Sequence, residues 1–105
     1  MSDLRTFRYV AFSRHPVAVR DITVELPADS GVEAATLTRA IREAAGVLLV
    51  DLDIVDAYRR PDDGRAITWR LTLQASDRSV TGEEANAAQE RARHAAYRLI
   101  AEPVA

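Results

Sequence analysis

Three stretches of this chain alternate apolar and polar residues, and two others repeat apolar residues every three or four positions. In residues 18–26, Ile22, Val24 and Leu26 share one side and Asp21, Thr23 and Glu25 the other. In residues 49–58, Val50, Leu52, Ile54 and Tyr58 alternate with Asp51, Asp53 and Ala57. In residues 66–74, Ile67, Trp69, Leu71 and Leu73 oppose Thr68, Arg70, Thr72 and Gln74. A period of two is the mark of a strand with one buried face. Leu37, Ala40, Ile41, Ala44, Ala45 and Leu48 instead follow the helical period, as do Ala85, Ala88, Ala92, Ala95, Ala96 and Leu99. The order strand, helix, strand, strand, helix lacks only a last strand to be the split β-α-β arrangement. It predicts an α+β, ferredoxin-like fold, an antiparallel sheet with two helices on one face. The tail after Leu99 is six residues with Pro103 among them, so a fourth strand is expected to be short or missing. Ile22, Val24, Ile41, Leu52, Ile54, Trp69, Leu71, Leu73, Ala92 and Leu99 are the expected core.

The element ends carry their own chemistry. Pro27-Ala28-Asp29-Ser30-Gly31 breaks the first strand, and Pro61-Asp62-Asp63-Gly64 supplies a hairpin turn. The first helix, expected over 37–45, has two possible starts: Thr36 as N-cap, or Ser30 with Glu33 one turn earlier. Gly46 suits the left-handed position after its last turn. The second helix opens on Thr81-Gly82-Glu83-Glu84, a capping box whose glutamates also favour the positive end of the helix dipole. Its apolar stripe is made of alanines, which lets a helix lie close on a sheet.

A chain of 105 residues is expected to form a single domain, 1–105, with 1–16 as an extended lead-in. It has no cysteine, which excludes a disulfide framework, a thiolate metal site and a cysteine nucleophile. No apolar run reaches the roughly 18 residues of a membrane span, and residues 1–8 lack the apolar core of an export signal, so a cytoplasmic location is expected. Net charge is −2, which argues against a free-standing, non-specific nucleic-acid binder. All 14 basic residues are arginines. Arginine forks onto phosphate and stacks on bases, although all-arginine usage equally fits a GC-rich coding sequence.

Catalytic patterns are missing: there is no glycine-rich phosphate loop, no nucleophile elbow and no paired-histidine motif. His15 and His94 stand too far apart in the chain to suggest a metal site. Strand alternation puts Asp56 on the opposite face from Asp51 and Asp53. The uncovered sheet face should hold Asp21, Thr23, Glu25, Asp51, Asp53, Val55, Thr68, Arg70 and Thr72, with no aromatic among them. Common RNA-binding sheets stack bases on exposed aromatics, so any RNA contact is expected at the rim and loops. The arginines there are Arg14, Arg59, Arg60, Arg65 and Arg70, with Tyr58 beside them. Arg20-Asp21 is either a structural pair pinning the lead-in or an RNA contact.

Five segments, in order, resemble one family. Ser13-Arg14-His15-Pro16-Val17-Ala18-Val19-Arg20-Asp21-Ile22 is similar to the opening of the ferredoxin-fold anticodon-binding domain found at the C-terminus of phenylalanyl-tRNA synthetase β subunits. Ala40-Ile41-Arg42-Glu43-Ala44-Ala45-Gly46 is similar to its first helix, and Asp56-Ala57-Tyr58-Arg59 to the Asp-x-Tyr end of its second strand. Trp69-Arg70-Leu71-Thr72-Leu73 falls where the family has an aromatic followed by Arg-Leu, and Asp77-Arg78-Ser79-Val80-Thr81-Gly82-Glu83-Glu84 resembles its entry to the second helix. The chain departs from the pattern in a shorter loop after Tyr58, in Ala66 where serine is common, and in Arg65-Ala66 where the family is more basic. The resemblance implies a non-catalytic module that binds the anticodon arm of phenylalanine tRNA, with the remainder of a synthetase as partner and no cofactor. The RNA-binding candidates are Arg14, Arg20, Tyr58, Arg59, Arg65 and Arg70. The competing function class is a stand-alone interaction or small-ligand regulatory domain on the same fold that has lost RNA binding.

Overall fold

The computed structural model describes residues 15–101. Strand β1 (Ala18–Leu26) leads to helix α1 (Ala34–Ala45), strands β2 (Leu49–Arg59) and β3 (Arg65–Leu73), and helix α2 (Gly82–Ala101). The strands form one antiparallel sheet in the order β1-β3-β2. Both helices pack on one face, giving the expected α+β, ferredoxin-like architecture. Among the described residues there is no fourth strand, and Pro103 lies outside them.

The core follows the alternation in β1 and β3. Ile22, Val24 and Leu26 pack with Ile67, Trp69 and Leu71 against Leu37, Ile41, Ala92 and Ala96 of the helices. Trp69 is fully buried, and its indole Nε1 donates to Thr38 Oγ1 at 2.9 Å. That hydroxyl donates in turn to the Ala34 carbonyl at 2.9 Å. One helix residue thus satisfies the only polar atom of the largest core side chain. A smaller cluster, Leu73 with Ala85 and Ala88, continues the core under the start of α2. The alanine stripe of α2 is buried at Ala85, Ala88, Ala92 and Ala96, while Leu99 is half-buried at its margin.

Two expectations need correcting. Ile54 is 47% exposed. Helix α2 lies along β1 and α1 meets β2, so β2 gives Leu49 and Leu52 to the core and then runs out from under the helices. Every residue from Asp53 to Arg59 is exposed. The second correction is at α1, which starts at Ala34 and places Thr36 in its first turn. Glu33 holds the N-cap position without a side-chain cap bond, and its carbonyl accepts from the Thr36 and Leu37 amides. Gly46 ends α1 with φ 89°, the left-handed region that favours glycine. Arg91 of α2 closes the same end, its Nε and Nη2 donating to the Ala44 and Ala45 carbonyls at 2.9 Å each.

The turn between β2 and β3 is fixed by backbone and side chain together. Arg60 N donates to Gly64 O at 2.7 Å, Asp63 N to Arg60 O at 2.9 Å, and Gly64 N to Asp62 Oδ1 at 3.0 Å. A Cβ on Gly64 would lie 2.5 Å from the Leu26 carbonyl oxygen, so only glycine lets the hairpin approach the end of β1. Among the described residues, the outer edge of β1 is met by side chains and not by a strand. Gln89 Nε2 donates to Asp21 O at 2.9 Å, the Tyr97 hydroxyl accepts from Glu25 N at 3.2 Å, and Arg20 Nη1 donates to Val19 O at 2.9 Å. These bonds satisfy backbone groups that a sheet edge otherwise offers to another chain.

Candidate nucleic-acid interface

The uncovered sheet face is built from cross-strand triplets. Asp21, Arg70 and Asp53 stand in register, as do Thr23, Thr68 and Asp56, and Glu25, Ala66 and Tyr58. Residues paired across a ladder share a face, so Asp56 and Tyr58 belong to this open face. The sequence alternation had placed both on the other side. The cause is a register shift between Ile54 and Asp56, which leaves Val55 without a partner on β3. One extra residue in a strand reverses the facing of all that follow. An earlier shift at Val50, between Leu49 and Asp51, has the same effect at the start of the strand.

The open face therefore does carry an aromatic. Tyr58 is 56% exposed, and its cross-strand neighbour is a small residue, Ala66, which is buried. Around Tyr58 the face is acidic, with Asp53 and Asp56 exposed on the same strand and Glu25 two strands away. The only signal of this juxtaposition in the sequence is the adjacent apolar pair Ile54-Val55, where strict alternation fails.

The arginines expected at the site divide into tethered and untethered. Arg70 is on the open face and forks onto Asp21, with Nε to Oδ1 at 2.9 Å and Nη2 to Oδ2 at 3.1 Å. This hydrogen bonding holds the Asp21 carboxyl below its usual range and raises the Arg70 guanidinium. Arg20 points to the helix side, its Nε donating to Asn86 Oδ1 at 3.0 Å. It ties α2 to β1 and is not paired with Asp21. Arg65 Nη2 donates to the Val32 carbonyl at 2.8 Å, pinning the loop before α1. Arg60 bridges Glu25 and Asp62 at 3.2 and 3.5 Å. Arg59 is exposed, and among the described residues its side chain makes no hydrogen bond or ion pair. Arg14 lies outside the described residues. His15 is within them, its carbonyl accepting from Gln74 Nε2 at 3.0 Å, and His94 is exposed on α2.

The arrangement offers one exposed ring, carboxylates that accept from base amino and imino groups, and one free guanidinium at the strand end. Among the described residues it lacks the row of untethered cations that a phosphate backbone calls for.

Comparison with known proteins agrees with this architecture. The family model of the ferredoxin-fold anticodon binding domain matches residues 13–101. The phenylalanine–tRNA ligase β subunit of Moorella thermoacetica is 38% identical over 95 residues, 88% of this chain and 12% of that subunit. The corresponding subunit of Geobacillus kaustophilus is 36% identical over 93 residues, covering 86% of this chain and 11% of the relative. The mitochondrial phenylalanine–tRNA ligase of Saccharomyces cerevisiae is 33% identical over 84 residues, or 75% of this chain and 18% of that enzyme. The chain thus spans between a tenth and a fifth of the length of these relatives. With the family model matched from the lead-in to the end of α2, and with the fold and the Asp56–Tyr58 strand end in place, this chain belongs to the ferredoxin-fold anticodon-binding domain family.

Proposed function

We propose that this domain binds the anticodon arm of phenylalanine tRNA through the open face of its sheet, and that it does so without chemistry of its own, as a module working with a phenylalanyl-tRNA synthetase in the cytoplasm. The observation that carries the reading is the placement of Tyr58, exposed on an otherwise polar face beside Asp56. A loop of unpaired bases is bound by stacking on aromatic faces and by hydrogen bonds to base edges, and Tyr58 with Asp56 supplies one of each. Arg59, next to Tyr58 but facing the other side of the sheet, would reach a phosphate only around the end of the strand. Arg70 contributes through Asp21, fixing the carboxylate beside the site, and Arg20 and Arg65 hold the elements that carry the face. The relatives that match are synthetases, which gives the alternative of a regulatory domain no support.

The test is a titration at low salt of the domain with a phenylalanine anticodon stem-loop and with one whose loop is scrambled. Preferential binding of the first, with Tyr58→Ala weakening it by about 1–3 kcal/mol as a lost stack should, is the expected result. Equal binding of both loops by an intact fold would defeat the reading.

A further inference from the structure

The two edges of this sheet are finished differently. At β1, side chains of Gln89, Tyr97 and Arg20 meet backbone groups. At β2, Asp51 Oδ1 accepts from the Leu52 amide at 3.0 Å, and from Asp53 to Arg59 no side chain of the described residues bonds the backbone. β2 is an outer strand, so alternate N–H and C=O groups along it face outward. Its side chains are unmatched as well. Ile54 is 47% exposed on the helix side. Asp53 and Asp56, exposed on the open face, make no ion pair among the described residues. The strand carries three aspartates against one arginine. Such an edge suits an extended segment in which cations alternate with large apolar residues.

This chain has one in its own lead-in, outside the described residues. Residues 5–12 contain Arg5, Phe7, Arg8, Tyr9 and Phe12, with no acid, glycine or proline, and aromatic residues favour strands. The described structure shows where this segment joins the sheet. The His15 carbonyl accepts from Gln74 Nε2 at 3.0 Å, and Gln74 N donates to Leu48 O at 2.9 Å. The lead-in therefore arrives at the end of the sheet where β3 finishes and β2 begins.

We propose that residues 5–12 pair antiparallel with β2 as a strand on its outer edge, with Phe7 against Ile54 and Arg8 beside Asp53. From His15 to the far side of β2 is two strand spacings, about 10 Å, which three extended residue steps cover. A segment running back from there along β2 has the antiparallel direction. Phe7 and Arg8 are consecutive and take opposite faces, as Ile54 and Asp53 do. This register gives the apolar ring an apolar neighbour and the cation an acid. A slip of one residue would set Phe7 beside Asp53 and turn every side chain to the wrong face. The pairing would cover the longest exposed stretch of β2 and neutralise one acid near Tyr58. It rests on the strand edge and not on the RNA reading.

The test uses the full chain, isotopically labelled, without RNA. Cross-strand backbone NOEs between residues 5–12 and β2 are expected, with slow hydrogen exchange at the outward amides of Asp53–Arg59, at every protein concentration. Arg8→Glu should abolish both signals, Arg8→Lys should keep them, and Phe7→Ser should weaken them, with the amides of β1 and β3 unmoved in each case. A chain lacking residues 1–12 should lose protection along β2 alone. If that variant does not fold, the NOEs of the intact chain decide. NOEs from residues 5–12 to β1 or to the helices overturn the proposal, as does fast exchange along β2 in the intact chain. Protection of β2 that rises with concentration and comes without contacts to residues 5–12 overturns it too, because a second copy would then hold the edge.

Discussion

Thr81 and Glu84 exchange hydrogen bonds at the start of α2: the Thr81 hydroxyl accepts the Glu84 amide at 3.0 Å, and the Glu84 carboxylate accepts the Thr81 amide at 3.0 Å. Arg78 adds a third partner, donating to the same carboxylate oxygen at 2.6 Å. The capping box was legible from four consecutive residues because it is made locally, whereas the Arg78 bond needs the preceding loop to fold back. Thr81→Ala should lower stability by about 1 kcal/mol, as lost N-caps do. The denaturant midpoint would fall with its slope unchanged. An unmoved midpoint would mean that the box does not contribute.

The same carboxylate makes a pH prediction. Hydrogen bonds from Arg78 and from the Thr81 amide hold Glu84 down to about 2, from a usual 4.5. A depressed acid stabilises the fold above its unfolded value and loses that contribution as pH falls. Stability should therefore decline between pH 4.5 and about 2, and Glu84→Gln should flatten that part of the profile. The pair is open to solvent, so salt should shrink the effect. A profile identical in wild type and variant at low ionic strength would rule the linkage out.

Thr38 is the residue on which Trp69 depends. Thr38→Val keeps the shape and removes the acceptor for the indole N–H, leaving a buried donor unpaired at a cost of about 1–3 kcal/mol. Thermal unfolding measures it. A neutral result would mean that water replaces the hydroxyl, which a shift in tryptophan emission would reveal.

Ala92 faces the sheet from the middle of α2 and is fully buried. Ala92→Leu should force the helix off Ile22 and Leu71 and cost about 1–3 kcal/mol by overpacking. Full stability in the variant would mean that the layer has slack at its centre.

The strands and helices were readable because their facing is periodic and their ends are marked by local chemistry. β1 runs over 18–26 as its alternation predicts. What failed to show was one residue of irregularity with a long reach. The apolar pair Ile54-Val55 breaks strict alternation but does not say which residue is extra, yet that bulge decides which face receives Asp56 and Tyr58. The arginine roles were illegible for a different reason. Arg20 meets Asn86 across 66 residues and Arg65 meets Val32 across 33, separations at which sequence pattern carries no information about partners. Exposure of Ile54 likewise depends on where the helices end over the sheet, a property of the packed molecule.

The Asp21–Arg70 fork gives the sharpest functional prediction. While Arg70 is engaged it adds little net positive charge to the open face, so stem-loop binding through that face should depend only weakly on salt. Asp21→Asn removes the neutralising charge and leaves Arg70 available for phosphate. Each additional phosphate neutralised on a single strand steepens the dependence of log K on log salt by about 0.7. Asp21→Asn should therefore strengthen stem-loop binding at low salt and steepen its salt slope by about that amount, whereas Tyr58→Ala should weaken binding at every salt concentration without changing the slope. Fluorescence anisotropy across a salt series separates the two, because stacking loss shifts the line and charge release tilts it. If Asp21→Asn weakens binding and leaves the slope alone, Asp21 itself contacts the RNA. The fork with Arg70 would then hold a base acceptor in place, and the electrostatic account of the face would have to be given up.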